Sequence, residues 1–415
     1  MQALPSKSSP KKKPTKSGRS LRSLNMNDQL AQSQLWLKTL NDTASQLPDG
    51  QHAKFMEVCG THTMAAFRCG LHSLTPDNVT LLSGPGCPVC VTAQGDIDQI
   101  IALAELPGVT VCTYGDMIRV PGQSSSLEKA RSQGADVRVV YSTMDAVKLA
   151  QKTADKQVVF AAVGFETTAP ATAAAIKLAA QLKLENFSVL ASHKWVMPAM
   201  MALLASGDID IDGFLLPGHV SVIIGTEAFR PIVDQYNLPC VVSGFEDFQM
   251  TQGLARLTQQ VLAGKAELVN DYPQVVKPGG NPTALALLAE IYDTCDASWR
   301  GLGVIPGSGM SLKSQFDPFN AAKRFNLSAV DTPEPAGCLC GEVIKGKVTP
   351  AQCKLFGNAC TPINPIGPCM VSSEGTCQAW FKYNRPRPRN PRNFQDSSSV
   401  NSTPQTTTNT QEVPA

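Results

Sequence analysis

Between residues 79 and 244 the chain alternates short apolar runs with amphipathic stretches in a regular rhythm. The runs are "VTLLSG" (79–84), "VTVCTYG" (109–115), "VRVVYS" (137–142), "QVVFAAVG" (157–164), "FSVLAS" (187–192), "FLLPG" (214–218) and "CVVSG" (240–244), each ending in glycine or serine. Continuous apolar runs of this kind, bounded by turn residues, are the mark of strands buried on both faces. Nearly all pass into Ala-rich or Leu-rich stretches of helical period, clearest over 168–183 and 247–264. A helix over 28–46 precedes the series, with Leu30, Leu37 and Leu40 on one face beside Trp36. The alternation predicts an α/β fold with parallel strands. The stretch between Thr143 and Gln157 reads as a helix bridging two similar halves, so two sheets are expected: a first α/β domain over 27–155 and a second over 156–265.

The segments after the strands differ from ordinary connecting loops. "GPGCPVC" comes after the first run, "GDMIRVPG" after the second, "GFETTAP" after the fourth, "HKWVMP" after the fifth, "GHVSVIIG" after the sixth and "GFEDF" after the seventh. Open parallel sheets bind ligands beyond the carboxyl ends of their strands, so these loops are expected to converge on one or two clefts.

Composition narrows the function classes. With 43% apolar and 17% charged residues and a formal net charge of +2, the chain reads as a globular protein with ample length for a core. The basic excess sits at the ends, in "KKKPTK" and "GRSLR" near the start and in "YNRPRPRNPRN", which opens a polar tail to Ala415. Residues 1–26 and 383–415 lack apolar anchors and are expected to be disordered extensions. The middle is then near neutral or mildly acidic, which argues against a nucleic-acid partner. No run of about 18 apolar residues crosses a membrane, and the basic start lacks a signal-peptide core, so a cytoplasmic protein is expected. Thirteen cysteines without a secretion signal point to metal or catalytic thiols rather than a disulfide framework.

Cys87 and Cys90 in "GPGCPVC" have the spacing to share a metal or to close on each other, with Pro88 stiffening the turn. A redox-active dithiol is favoured over half of a structural zinc site, with metal ligation overlapping it. "EVCGTHT" offers Cys59 and His62, with Gly60 allowing close backbone approach. Together they could hold a metal, exchange a proton, act as nucleophile and base, or be buried structural residues. Cys69 and His72 read as structural. Glu166, in "GFETTAP", either orients a ligand or moves protons, or complements a helix N-terminus. His219, in "PGHVS", stands at a loop mouth, and His193 has a similar place with less support. No glycine spacing forms a phosphate loop or a dinucleotide fingerprint.

Six cysteines fall between 338 and 377, marking a C-terminal module over 266–382. Cys338, Cys353, Cys360 and Cys377, with Cys340 and Cys369 beside them, suit zinc or an iron–sulfur cluster. Paired Cys-x2-Cys knuckles are missing, and Pro362, Pro365 and Pro368 imply irregular loops, so the cluster is preferred. The fold class is therefore two parallel-sheet α/β domains plus a cysteine-rich C-terminal iron–sulfur domain.

"CGTHT", "GPGCPVC", "GFETT", "PGHVS" and the cysteine pattern ending "LFGNACTP…GPCMVSSEG.C", in this order over roughly residues 30–382, resemble the HypD family of hydrogenase maturation proteins. The resemblance implies a 4Fe-4S cluster, and partners of two kinds: a small HypC-type chaperone and a HypE-type cyanide donor. Together these assemble iron carrying two cyanides and one carbon monoxide for nickel–iron hydrogenases. It implies that Cys59 holds this iron jointly with a HypC cysteine. Cys87 and Cys90 would form the neighbouring redox pair or help ligate the iron. Cys338, Cys353, Cys360 and Cys377 would hold the cluster, with Cys340 and Cys369 competing for places. His62, Glu166 and His219 would tune protonation or shape the cleft. The chain then reads as an assembly scaffold that also does redox work, by electron transfer and thiol/disulfide exchange. Two rivals are an iron–sulfur-linked thiol/disulfide oxidoreductase with no iron scaffold role, and a zinc-stabilised interaction module.

Overall fold

The architecture is that of a computed structural model, which describes residues 26–328 and 332–384. Eleven strands are present among them: β1 (Ala53–Glu57), β2 (Val79–Ser83), β3 (Val109–Thr113), β4 (Asp136–Val139), β5 (Gln157–Gly164), β6 (Phe187–His193), β7 (Gly213–Pro217), β8 (Cys240–Ser243), β9 (Leu268–Asn270), β10 (Tyr292–Trp299) and β11 (Gly303–Leu312). The first sheet has the order β2-β1-β7-β8-β9 and the second the order β4-β3-β5-β6, and every pairing in both is parallel. The apolar runs explain this. In β5 every residue after Gln157 is buried, as helix-covered parallel strands require. β10 and β11 form a separate antiparallel pair.

The expectation of an α/β fold with two parallel sheets therefore stands, but sheet membership does not follow a division at residue 155. β1 and β2 pair with β7, β8 and β9 across the chain, and the second sheet is made entirely of the strands between them. The helix expected to bridge two halves exists, over Thr143–Lys152, but it links β4 to β5 within one sheet. The actual return runs from the end of β6 through the helix Val196–Ala205 to β7, which lies beside β1 with Phe55 opposite Gly213. Partner choice between strands distant in sequence leaves no trace in the apolar rhythm, so the grouping had to come from the fold. β9, inside the stretch assigned to the C-terminal module, completes the edge of the first sheet.

The remaining C-terminal stretch contains short helical turns, at Cys340–Ile344, Pro350–Gln352 and Pro368–Met370, and a last helix Thr376–Tyr383. The extensions expected over 1–26 and 383–415 lie, apart from Met26, Tyr383 and Asn384, outside the described residues. Among the described residues no helix is long and apolar enough to cross a membrane.

Candidate functional site

Strand order locates the switch points, where neighbouring strands send their connections in opposite directions and ligands commonly bind. In the first sheet this is the gap between β1 and β7, and in the second that between β3 and β5. Cys59 and His219 follow β1 and β7, whereas Asp116 and Glu166 follow β3 and β5. Both pairs thus sit at the ends where the topology opens a crevice.

Cys59 caps the helix Gly60–Arg68, and its side chain is nearly enclosed, at 8% exposure. The loop carrying Cys87 and Cys90 is laid directly against it. The Gly60 amide donates to the Gly86 carbonyl at 3.0 Å. A Cβ on Gly86 would lie 2.5 Å from the Cys59 Cα. Only glycine permits that approach. Cys87 and Cys90 are joined as a disulfide with Cα atoms 5.3 Å apart. Cys87 also caps the turn Pro88–Val91, its sulfur accepting from the Cys90 amide at 3.2 Å.

Two carboxyl groups flank Cys59, and neither was picked out from the sequence. Glu57, at the end of β1, is buried and accepts from the Cys59 amide at 2.9 Å and from the Thr63 hydroxyl. Burial pushes it up to about 7. Glu374 comes from the distant "VSSEG" segment and accepts from the Thr61 hydroxyl at 2.7 Å, its Cβ packing on Gly60. Burial raises its pKa as well. The Cys59 thiol is pushed up to about 12 by burial, then by the charge of Glu374, while the His62 and Thr61 amides at the helix start pull the other way. The neighbouring Ser372 hydroxyl donates to Asp116 at 2.9 Å and the Ser373 amide at 3.2 Å. Residues 372–374 therefore tie the switch point of one sheet to that of the other.

His62 is fully buried; its Nε2 lies 2.9 Å from the Gly244 carbonyl, and Nδ1 has no partner. Burial lowers its pKa to about 4. Phe245 stands between His62 and His219, with ring centroids at 4.6 Å and 3.9 Å. His219 is otherwise exposed, and partial burial lowers its pKa. The structure thus brings "CGTH", "PGHVS" and "GFEDF" together through one aromatic stack.

Glu166 belongs to the second sheet's crevice. One of its oxygens accepts from the Val196 amide at 2.9 Å, the other has no partner, and burial pushes its pKa up to about 7. His193 lies on the neighbouring strand, fully buried with both ring nitrogens unpartnered. Burial, with the charge of Lys194, lowers it to about 3. Cys69 is half-buried, and His72 stacks on Phe67 at 4.0 Å.

All six C-terminal cysteines line one small pocket, walled by Leu339, Val343, Leu355, Phe356 and Met370. Hydrogen-bonding thiols run in the order Cys338, Cys340, Cys369, Cys377. Two amides already point at sulfur: Ile366 donates to Cys360 at 3.3 Å and Cys377 to Cys369 at 3.2 Å. Thiols in apolar surroundings with amide donors are the donor chemistry of an iron–sulfur cluster, so the residues fit that group. Among the described residues no three Cys, His, Asp or Glu side chains converge as a site for a single metal ion. The turn Pro88–Val91 packs against the helix Cys340–Ile344 and the turn Pro368–Met370, so the disulfide and the cysteine pocket are neighbours.

Fold and site define a cysteine-rich, double-sheet α/β protein whose buried thiols and carboxyls gather at strand ends. A sequence profile of the HypD family, described as the hydrogenase formation hypA family, matches residues 32–384. The chain is 46% identical over 351 residues to hydrogenase maturation factor HypD of Azotobacter vinelandii, covering 83% of this chain and 93% of that one. It is 45% identical over 351 residues to the hydrogenase expression/formation protein HupD of Azotobacter chroococcum mcd 1, covering 83% and 93%. Against hydrogenase maturation factor HypD of Escherichia coli strain K12 it is 45% identical over 331 residues, covering 80% and 89%. The chain belongs to the HypD family, and its role lies in hydrogenase maturation.

Proposed function

We propose that the chain is a scaffold with redox activity on which iron acquires two cyanides and one carbon monoxide, working with a HypC-type chaperone and a HypE-type cyanide donor. The observation that carries this reading is the seating of Gly86 on the Cys59 backbone, which sets a free thiol beside a disulfide-forming pair. Cys59 anchors the iron cargo, since soft thiolates suit iron made low-spin by cyanide and carbon monoxide. Its thiol must lose a proton to do so. Glu57 and Glu374, both with raised pKa values, are placed to receive it.

Cys87 and Cys90 supply reducing equivalents in their dithiol form. Their two thiols and a thiocyanate on the donor's cysteine give the Cys87–Cys90 disulfide, a free donor thiol and hydrogen cyanide. Two electrons pass from the dithiol to the S–CN bond, and the two thiol protons leave on the products. His62, Glu166 and His219 shape the cleft and hold protons around it. Cys338, Cys353, Cys360 and Cys377 would hold a 4Fe-4S cluster, which when bound supplies electrons singly. The packing of the disulfide turn on the cysteine pocket also favours the alternative of a thiol/disulfide oxidoreductase without an iron scaffold role.

Anaerobic infrared spectroscopy of the chain copurified with its small partner separates the two. Cyanide and carbonyl stretches present in wild type and absent from Cys59→Ala are expected. Their absence from wild type, or their persistence in Cys59→Ala, sinks the scaffold reading.

A further inference from the structure

Trp299, Arg300 and Gly301 end β10 and enter the turn to β11. Arginine is rarely fully buried unless paired, yet the Arg300 side chain has no exposure. Its backbone amide donates to the Val91 carbonyl at 2.9 Å, Nε to the Thr92 carbonyl at 3.2 Å, and Nη2 to Gln94 Oε1 at 3.0 Å. These bonds grip the segment that leaves Cys90. On its other side, Gly301 runs backbone to backbone with Gly341, where a Cβ on Gly301 would lie 2.5 Å from the Gly341 Cα. Gly341 directly follows Cys340. Arg300 therefore lies between the disulfide turn and the cysteine pocket.

Its charge is only partly offset there. Among the described residues Nη1 has no hydrogen-bond partner, and the Glu334 carboxylate stands 4.0 Å from it while accepting from the Gly301 amide at 2.8 Å. Carbonyl and amide oxygens satisfy two of the nitrogens without supplying negative charge. A buried cation so weakly paired is costly, so the site favours a further anion beyond those that the described residues provide.

We propose that Arg300 is the buried counter-charge of the anionic iron–sulfur group in the cysteine pocket and that it sets that group's reduction potential. The inference rests on the reading that the pocket holds a four-iron cluster. One-electron reduction of such a group breaks no bond and adds one negative charge, so a fixed cation alongside favours the reduced state and raises the potential.

The test uses the full chain, reconstituted anaerobically and titrated with dithionite and mediators while the reduced cluster is followed by electron paramagnetic resonance. Iron and acid-labile sulfide are measured first. Arg300→Met is expected to move the midpoint to more negative potential. Arg300→Lys, which keeps the charge, should move it less. Glu334→Gln removes an acid that offsets Arg300 from the partly exposed side and should move the midpoint the opposite way. A merely structural role for Arg300 predicts no such reversal of sign. Wild-type protein that takes up no iron and sulfide overturns the cluster reading, and this inference with it. Loaded wild type with an unmoved midpoint in Arg300→Met overturns this inference alone. Should Arg300→Met fail to fold or load, the Glu334→Gln midpoint decides, and no shift there overturns the proposal.

Discussion

Gly86 and Cys59 meet backbone to backbone, closely enough that a Cβ on Gly86 would lie 2.5 Å from the Cys59 Cα. No flexible side chain stands there to swing aside. Gly86→Ala must therefore push apart the two loops that carry Cys59 and the Cys87–Cys90 pair. Overpacking of this kind costs about 1–3 kcal/mol. Urea denaturation should show that loss, and a maleimide should label the Cys59 thiol faster than in wild type. Gly279 has nothing within 4 Å of its would-be Cβ, so Gly279→Ala is the silent control. A wild-type midpoint and labelling rate in Gly86→Ala would show that the loops are not held by this contact.

Glu166 and His193 should leave opposite marks on stability as a function of pH. Glu166 has its pKa raised to about 7 in the fold from 4.5. Between those values the folded state keeps a proton that the unfolded chain has lost, so stability falls as pH rises through this window. His193 is lowered from 6.5 to about 3, so there the unfolded chain binds the extra proton and stability rises with pH up to about 6.5. Glu166→Gln removes the falling contribution alone. Its stability relative to wild type should therefore climb between pH 4.5 and 7, by up to about 3 kcal/mol at 1.4 kcal/mol per pKa unit. Chemical denaturation at several pH values reads this directly, and a pH-independent difference would refute it.

The share of the fold legible in the sequence depends on the signal each residue type carries. The seven strands rich in Val, Leu, Ile and Phe were readable because burial, nearly complete in β3, β5, β7 and β8, demands apolar residues along most of their length. β1, central to the first sheet and the strand that delivers Cys59, was not, because "AKFME" carries Lys54 and Glu57 within five residues. Glu57 is tolerated only because Thr63 and the Cys59 amide satisfy it, which no local pattern reveals. β10, with two aspartates and mostly exposed or half-buried positions, and the glycine-rich β11 were missed for want of an apolar run. Cys59, Cys87 and Cys90 stood out because thiols at strand ends are chemically rare. Asp116, Arg300 and Glu374 did not, since an acid or a cation in a polar loop looks solvated until the fold encloses it. The one available hint for Glu374 was its place among glycine, serine and cysteine in "CMVSSEGTC".

Phe245 controls the environment of His219. Its ring stacks on His219 at 3.9 Å and leans on His62 at 4.6 Å. Burial is the cause of the lowered His219 pKa, so Phe245→Ala should let that value rise toward the ordinary histidine range. His62 keeps its bond to the Gly244 carbonyl and its enclosure by the first sheet, so it should shift less. Titration of the two imidazoles by nuclear magnetic resonance separates them. Equal shifts in both would mean that the loop has collapsed rather than that one ring has been uncovered.

The cysteine pocket holds more thiols than a four-iron cluster needs, and their contacts select among them. Cys338 touches Cys340, Cys340 touches Cys369, and Cys369 touches Cys377. Each ligand of a four-iron cluster binds a different iron, so the four sulfurs must spread around the cluster, and neighbours in this row make poor joint ligands. Cys353 and Cys360 stand outside the row and complete the set with two of its members that do not touch. The ends of the row, Cys338 and Cys377, do not touch, and both are half-buried, while Cys340 and Cys369 are enclosed at 2% and 1% exposure. Alanine at 338, 353, 360 or 377 is therefore expected to abolish most iron and sulfide uptake on anaerobic reconstitution. Cys340→Ala and Cys369→Ala should keep it, with a small loss of thermal stability from the missing packing. If Cys369→Ala loses the iron and Cys377→Ala retains it, the amide that Cys377 donates to the Cys369 sulfur marks Cys369 as the fourth ligand instead.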